Sequence, residues 1–362
     1  KTAMEATRLM DPAFWADSFP VAPGSLWPDG MSDPQGLLWF QSSGSTGDPK
    51  WIGLTREALL LSARVVNAHL SVSDGEVWGL ALPLHHVGGF GVVARAYESG
   101  CRLAKLPGKW DPGTCCAWLA REKVNHLSLV PTQVVDLVRA GCAAPSSLRT
   151  VVVGGGALQV EVGRAARALG WPVLASYGMT EAASQIATQG LELLGKPYQR
   201  FPCEGLSHWD LRVNSEGCLE LSGGSLFSAV SRRVQGGQWE WVARDEEWHV
   251  TRDRVNLVGR SIQVLGRADR CVKVLGELVD LEQVESGLGV EQVAVVAIPD
   301  SRWGRKLVLV SEAGRHAEAV ERYNAGVAGP WRISEVVVVS SLPRTDLGKV
   351  RHGALAEVIS LR

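Results

Sequence analysis

From residue 37 to about residue 177, short apolar runs alternate with amphipathic stretches of helical period. Strands and helices in strict alternation bury their apolar faces only by stacking in layers, so this half of the chain is read as α/β. Leu37, Leu38, Trp39 and Phe40 form the first strand and lead into a Gly/Ser/Thr loop. Thr55 caps a predicted helix reaching Leu70, with Leu59, Ala63, Val66 and Leu70 at helical spacing. Further strands are predicted over 77–82, 102–106, 126–130, 148–153 and 172–175, with helices over 111–122, 132–140 and 160–169. Beyond about residue 205 the texture changes to short alternating runs at 209–213, 217–221, 239–243, 248–250 and 262–265, which predict a β-rich subdomain. A small α+β unit follows from about Arg270. Its strands are predicted over 272–275, 292–298, 306–310 and 335–339, and its helices over 281–286, 316–324 and 352–359.

Composition narrows the function classes. The chain has 362 residues, room for two or three cores. Lys plus Arg number 37 against 38 Asp plus Glu, so no overall basic field exists to hold nucleic acid or an anionic membrane, and any phosphate must be captured locally. With 46% hydrophobic and 21% charged residues and no long charge-free run, the chain reads as soluble and globular, without stable membrane insertion. Its first nine residues lack the apolar core of a signal peptide. Seven cysteines, at 101, 115, 116, 142, 203, 218 and 271, include no C-x-x-C pair, so a reducing cytoplasm is expected rather than a disulfide framework or a zinc site. Glycine accounts for 40 residues and is clustered.

The sharpest cluster is Ser42, Ser43, Gly44, Ser45, Thr46, Gly47, Asp48, Pro49 and Lys50. Hydroxyls, unobstructed backbone N–H groups and a lysine are what a loop needs to wrap a polyphosphate. It is not a Walker A loop: Pro49 stands where glycine is required, and Trp51 follows Lys50. Gly89 to Ala94 spells G-x-G-x-x-A but lacks the acidic residue that would end a second strand. His85 and His86 are adjacent; on a strand they face opposite ways and cannot share a metal, although one can line a pocket.

The loop at 42–50 resembles the phosphate loop of the adenylate-forming superfamily of acyl-CoA synthetases, adenylation domains and luciferases. Five more stretches resemble its motifs, in order. Ser176-Tyr177-Gly178-Met179-Thr180-Glu181 is similar to the adenine and magnesium motif, and residues 216–223 to the hairpin after it. Trp248-His249-Val250-Thr251-Arg252-Asp253 is similar to the ribose motif. Gly266-Arg267-Ala268-Asp269-Arg270, with Lys273 and Gly276, is similar to the hinge segment, and residues 343–349 to the loop of the catalytic lysine. The resemblance implies an α/β fold with a large N-terminal domain of layered α/β subdomains plus a β-rich subdomain (1–266), a hinge (267–269) and a small mobile α+β C-terminal domain (270–362). It also implies ATP, Mg²⁺ and coenzyme A as cofactor and co-substrates, and a small-molecule carboxylic acid as the partner to be activated.

Each motif has chemistry of its own. A carboxylate is a poor acyl donor until it displaces pyrophosphate from the α-phosphate of ATP, a step that gathers negative charge. Mg²⁺ binds through few protein carboxylates, and Glu181, following a Thr hydroxyl, suits it, while Thr180 can hydrogen-bond the α-phosphate; read alone, Glu181 is an acid at a helix N-terminus. Tyr177 offers a flat face to adenine or belongs to the core. Asp253 can accept from both ribose hydroxyls, although the superfamily usually has Thr-Gly-Asp where this chain has Thr-Arg-Asp. Arg267 adds a ribose contact or a surface ion pair. Lys349 would neutralise transition-state charge, Asp269 would be the hinge residue that lets a thiol replace that lysine, and Gly276 would pass close to the pantetheine chain.

Three stretches resemble the o-succinylbenzoate-CoA ligases within the superfamily: residues 82–89, 128–133 and 251–254. On that resemblance His86, Thr132, Gly155, Gly156 and Ser184 line the acyl pocket. The acid is a dianion, so its second carboxylate needs a donor that the sequence does not identify. A ligase for another aryl or aliphatic acid, a stand-alone adenylation enzyme and a nucleotide-binding pseudoenzyme stand as alternatives; Lys50, Glu181, Asp253 and Lys349 together weigh against the last. The 41 residues before Ser42 are few for this superfamily, which fits a compact form and leads to the expectation that a second copy, in a homodimer, supplies an outer pocket wall.

Overall fold

The computed structural model describes residues 8–23, 30–31, 33, 35–42, 50–234, 237–300, 304–344 and 350–360. Its central element is an eleven-stranded sheet. In spatial order the strands are Asp210–Val213, Cys218–Ser222, His249–Val258, Ser261–Arg267, Cys203–Gly205, Ser184–Thr188, Val173–Met179, Thr150–Val153, His126–Leu129, Val77–Leu80 and Arg102–Lys105. The last five are mutually parallel, and the rest pair antiparallel. What reads in sequence as an α/β region followed by a β-rich one is therefore a single sheet. The strand Val173–Met179 joins the two halves, with Val173 to Ala175 lying parallel to Val151 to Val153 and Ser176 to Met179 lying antiparallel to Ser184–Thr188. Val77–Leu80, His126–Leu129 and Thr150–Val153 are buried at every position, as parallel strands covered on both faces must be.

The connections set the site. Val77–Leu80 leads through the helix Val87–Glu98 to Arg102–Lys105 on one side, and the chain then crosses through Pro112–Glu122 to His126–Leu129 on the other. The winding direction reverses there. Right-handed crossovers send the loops after Val77–Leu80 and His126–Leu129 to opposite faces, opening a crevice at the carboxyl ends of the strands. The helix Val87–Glu98 was not anticipated from sequence, because Gly88, Gly89 and Gly91 punctuate it; the G-x-G-x-x-A run lies inside this helix.

The strand Leu38–Ser42 is not part of this sheet. It forms an antiparallel pair with Lys50–Leu54, in a four-stranded sheet completed by Ala229–Arg233 and Trp239–Ala243. Trp39 and Trp51 are in its apolar cluster. The helix predicted from Thr55 runs Arg56–His69, with Thr55 Oγ1 accepting from Ala58 N. Two smaller apolar clusters lie in the C-terminal part. They are formed by the hairpin Cys271–Val274 with Glu277–Asp280, the sheet Val293–Asp300, Gly304–Ser311 and Ile333–Val338, and their helices. All seven cysteines are free, and among the described residues no helix is long and apolar enough to cross a membrane.

Candidate active site

The hairpin that carries the phosphate-loop sequence places Ser42 directly across from Lys50. Residues Ser43, Gly44, Ser45, Thr46 and Gly47, which connect them, and Lys349 lie outside the described residues. Lys50 Nζ donates to Glu181 Oε1 at 2.8 Å. Glu181 is in a single turn, Thr180–Ala182, that follows Val173–Met179, and its carbonyl accepts from Phe227 N at 2.9 Å. Burial pushes the Glu181 carboxyl up, but the Lys50 charge and hydrogen bond outweigh it and hold the group below its ordinary value. Nearby His249, whose ring meets Phe227 edge-on at 5.2 Å, is pushed down by burial although the Glu181 charge opposes this.

A second charge cluster is built on Tyr177, four residues before Glu181 on the strand Val173–Met179. Tyr177 Oη donates to Asp253 Oδ2 at 2.6 Å, and Arg267 Nη1 donates to Asp253 Oδ1 at 3.1 Å. Arg267 also forks onto Asp269, Nε to Oδ1 and Nη2 to Oδ2, both at 2.8 Å. Burial, and then the Asp253 charge, raise the Tyr177 phenol well above its usual value. The bond to Asp269, followed by the Asp253 charge, raises Arg267 against its own burial. Arg252 is exposed while Thr251 and Asp253 are buried, as alternation along the strand His249–Val258 requires, so the departure from Thr-Gly-Asp is on the solvent side. Gly178 is fixed by close approach: a Cβ there would be 1.6 Å from Ser184 O.

Gly276, by contrast, has nothing within 4 Å of such a Cβ and a φ of +84°, so in this conformation backbone handedness rather than clearance calls for glycine.

The expected acyl-pocket residues fall into groups around the crevice. Gly155 and Gly156 follow Thr150–Val153 and pack against Val130 and Pro131, at the helix start that carries exposed Thr132. Gln133 ties this junction to the loop after Val77–Leu80 by accepting from Val130 N and donating to Ala81 O. His85 and His86 require a correction. They occupy a turn rather than a strand, and their rings lie 4.3 Å apart instead of on opposite faces; His86 is the N-cap of Val87–Glu98. Ser184 stands at φ +97° after Ala183 at +47°, two consecutive non-glycine residues in strained backbone that aim the turn.

Sequence reasoning missed Arg95. It is 2% exposed, on the helix Val87–Glu98. Its Nε donates to Gly91 O at 2.9 Å and its Nη1 to Ser128 Oγ at 3.1 Å, and its guanidinium lies 4.7 Å from the Trp78 ring centroid. Burial pushes it down to about 9. With Gly91, Ser184, Gln185, Ser62 and Leu59 it lines a narrow cavity of about 10 Å³, room for about one water. A lone charge in an otherwise apolar helix, four residues after Gly91, was the available signal.

Beyond the carboxyl end of Val173–Met179, one charge cluster is of a kind suited to phosphate and its neighbour of a kind suited to a ribose diol. Residues 30–213 match the AMP-binding enzyme family and residues 284–349 its C-terminal domain, and the chain belongs to that family. It is 32% identical over 282 residues to the 2-succinylbenzoate–CoA ligase of Escherichia coli, covering 75% of this chain and 57% of that protein. It is 29% identical over 351 residues to the "Probable 2-succinylbenzoate–CoA ligase" of Mycobacterium tuberculosis, covering 92% and 87%. The solved structure of wild-type E. coli MenE with a bound m-phenylether-linked analogue of OSB-AMS superposes with a TM-score of 0.69 at 26% identity, over 94% of this chain and 73% of that one. The ATP-bound MatB from Rhodopseudomonas palustris shares the fold, with a TM-score of 0.76 at 21% identity over 91% and 69%. In the sequence match the chain spans 57% of the length of the E. coli ligase.

Proposed function

We propose that this protein is an ATP- and Mg²⁺-dependent acid–thiol ligase that makes a coenzyme A thioester through an acyl-adenylate, with o-succinylbenzoate as its acid. The observation that carries the reading is the pairing of Lys50 with Glu181 and, beside it, of Asp253 with Tyr177 and Arg267. The first suits a polyphosphate and its cation, the second a ribose diol.

The substrate carboxylate attacks the α-phosphorus of ATP and the bond to pyrophosphate breaks; the thiol of coenzyme A then attacks the acyl carbon and AMP leaves. The Lys50 ammonium, paired with Glu181, marks the position for positive charge, Glu181 would hold Mg²⁺, and the Thr180 hydroxyl would hydrogen-bond the α-phosphate. Bound there, the ion would supply charge neutralisation at the phosphates. Asp253 orients the ribose, Tyr177 presents its ring to adenine, and Lys349 neutralises charge during adenylation. Rotation at Asp269, between domains 1–266 and 270–362, exchanges Lys349 for the Gly276 hairpin and coenzyme A. Leu275 and Leu278 flank that glycine and are each 53% exposed, apolar surface that a second docked position would cover.

The choice of acid rests on Arg95. A buried guanidinium beside Ser184 is a donor for a second carboxylate, which a monocarboxylic acid lacks. Seven free cysteines favour a reducing cytoplasm. The test is pyrophosphate release across a panel of acids with ATP and Mg²⁺. Release with o-succinylbenzoate well above that with fatty or simple benzoic acids is expected. Activity with those acids alone would overturn the choice of acid and keep the ligase; no release with any acid would overturn both.

A further inference from the structure

The hinge segment and the ribose carboxylate are joined by one side chain. Arg267 closes the strand Ser261–Arg267 across from Asp253, with which it is paired in register. Two residues later Asp269 takes two of its N–H groups at 2.8 Å, leaving Nη1 to meet Asp253 Oδ1 at 3.1 Å. The other oxygen of Asp253 is held by Tyr177. On the far side Arg270 is tied into the C-terminal part, Nη2 to Glu285 Oε1 at 2.6 Å and Nη1 to Val295 O at 3.3 Å. Asp269 thus lies between an arginine fixed to the ribose carboxylate and an arginine fixed to the C-terminal core.

A guanidinium is a planar fork, so two parallel bonds to one carboxylate fix its orientation as well as its distance. We infer that Asp269 is a positioning residue: by holding Arg267 it sets the orientation of Asp253 toward the ribose diol, so that hinge geometry and nucleotide grip are linked. A change of φ at Asp269 swings its Cβ away from Arg267, breaks the fork and loosens the hold on the ribose. The turn that admits the thiol would thereby lower the affinity for the AMP that must leave. The inference rests on the nucleotide-binding reading above.

Calorimetric binding of AMP and of 2′,3′-dideoxy-AMP to the full chain, native and Asp269→Asn, tests it. Asparagine keeps the shape and loses the charge-assisted fork. AMP affinity is expected to fall about tenfold, dideoxy-AMP affinity to stay within about twofold, and Asp269→Glu to recover part of the loss. A purely structural role would weaken both ligands equally. Unchanged AMP binding, or an equal loss for the two nucleotides, overturns the inference while leaving the nucleotide site standing. A native chain that binds no AMP overturns the site itself and the inference with it.

Discussion

At the nucleotide end of the crevice opposite charges stand side by side, Lys50 against Glu181 and Arg267 between Asp253 and Asp269, whereas at the acyl end Arg95 is enclosed by a carbonyl, a hydroxyl and an indole ring. Among the described residues Arg95 makes no ion pair. The two ends therefore bear the empty state differently. A self-neutralised cluster has its charges compensated before any ligand arrives, so a ligand must exchange one partner for another. A buried cation without a counterion is costly to hold in the fold, and an anion drawn to it, directly or through a water in that cavity, would offset that cost. On the function proposed above, the nucleotide end would provide orientation and the acyl end selectivity for the acid.

The sharpest way to break the contrast is to remove the group assigned only to adenylation. Lys349→Ala is expected to lower acid-dependent pyrophosphate release by roughly 100- to 1,000-fold. Thioester formation from supplied acyl-adenylate should stay within a few-fold of native. Equal losses in the two half-reactions would remove the distinction between them and with it the role of Lys349. Next in size is Arg95→Lys, which keeps a charge and loses the fork. The KM for o-succinylbenzoate should rise by roughly ten- to a hundredfold, with the KM for ATP unchanged and a monocarboxylic acid unaffected. A parallel rise for ATP would place Arg95 in general packing rather than in acid recognition.

The same contrast governs what could be read in advance. At the nucleotide end the chemistry is carried by short contiguous stretches, so Glu181, Asp253 and Arg267 could be singled out by their neighbours in sequence. Their mutual contacts could not, since Tyr177 and Asp253 are brought together only when the sheet changes from parallel to antiparallel at Val173–Met179. The strand Lys50–Leu54 was missed because it follows directly on the loop and pairs back on Leu38–Ser42 instead of joining the layers. At the acyl end the pocket is assembled from the ends of separate strands. Arg95 belongs to a helix whose glycines hid it, and its closeness to Ser184 is a product of packing between segments far apart in the chain. Backbone pattern is a local signal, whereas a buried charge acquires meaning only from what is folded around it.

The smallest expected effect separates the two ends by their response to acid. His208 lies between Cys203–Gly205 and Asp210–Val213; its ring is 4.5 Å from that of Trp209, and both ring nitrogens are buried with no partner among the described residues. Burial, and then the nearby Arg260 charge, push it down to about 4 from 6.5. Trp209 in turn donates to Gln185 O, on the wall of the Arg95 cavity. Below pH 6.5 the unfolded chain takes up a proton at His208 that the folded chain refuses, so this contribution to stability is complete above about 6.5 and is lost as pH falls toward 4. Glu181, held below its ordinary 4.5 by Lys50, keeps its ion pair to lower pH. Melting temperatures at pH 7 and pH 5 should therefore fall less for His208→Phe than for the native chain, by roughly 1–3 °C. An unchanged difference would assign the acid sensitivity to the other histidines lowered by burial, His126 beside Glu76 and His249 beside Glu181, the second of which would move it to the nucleotide end.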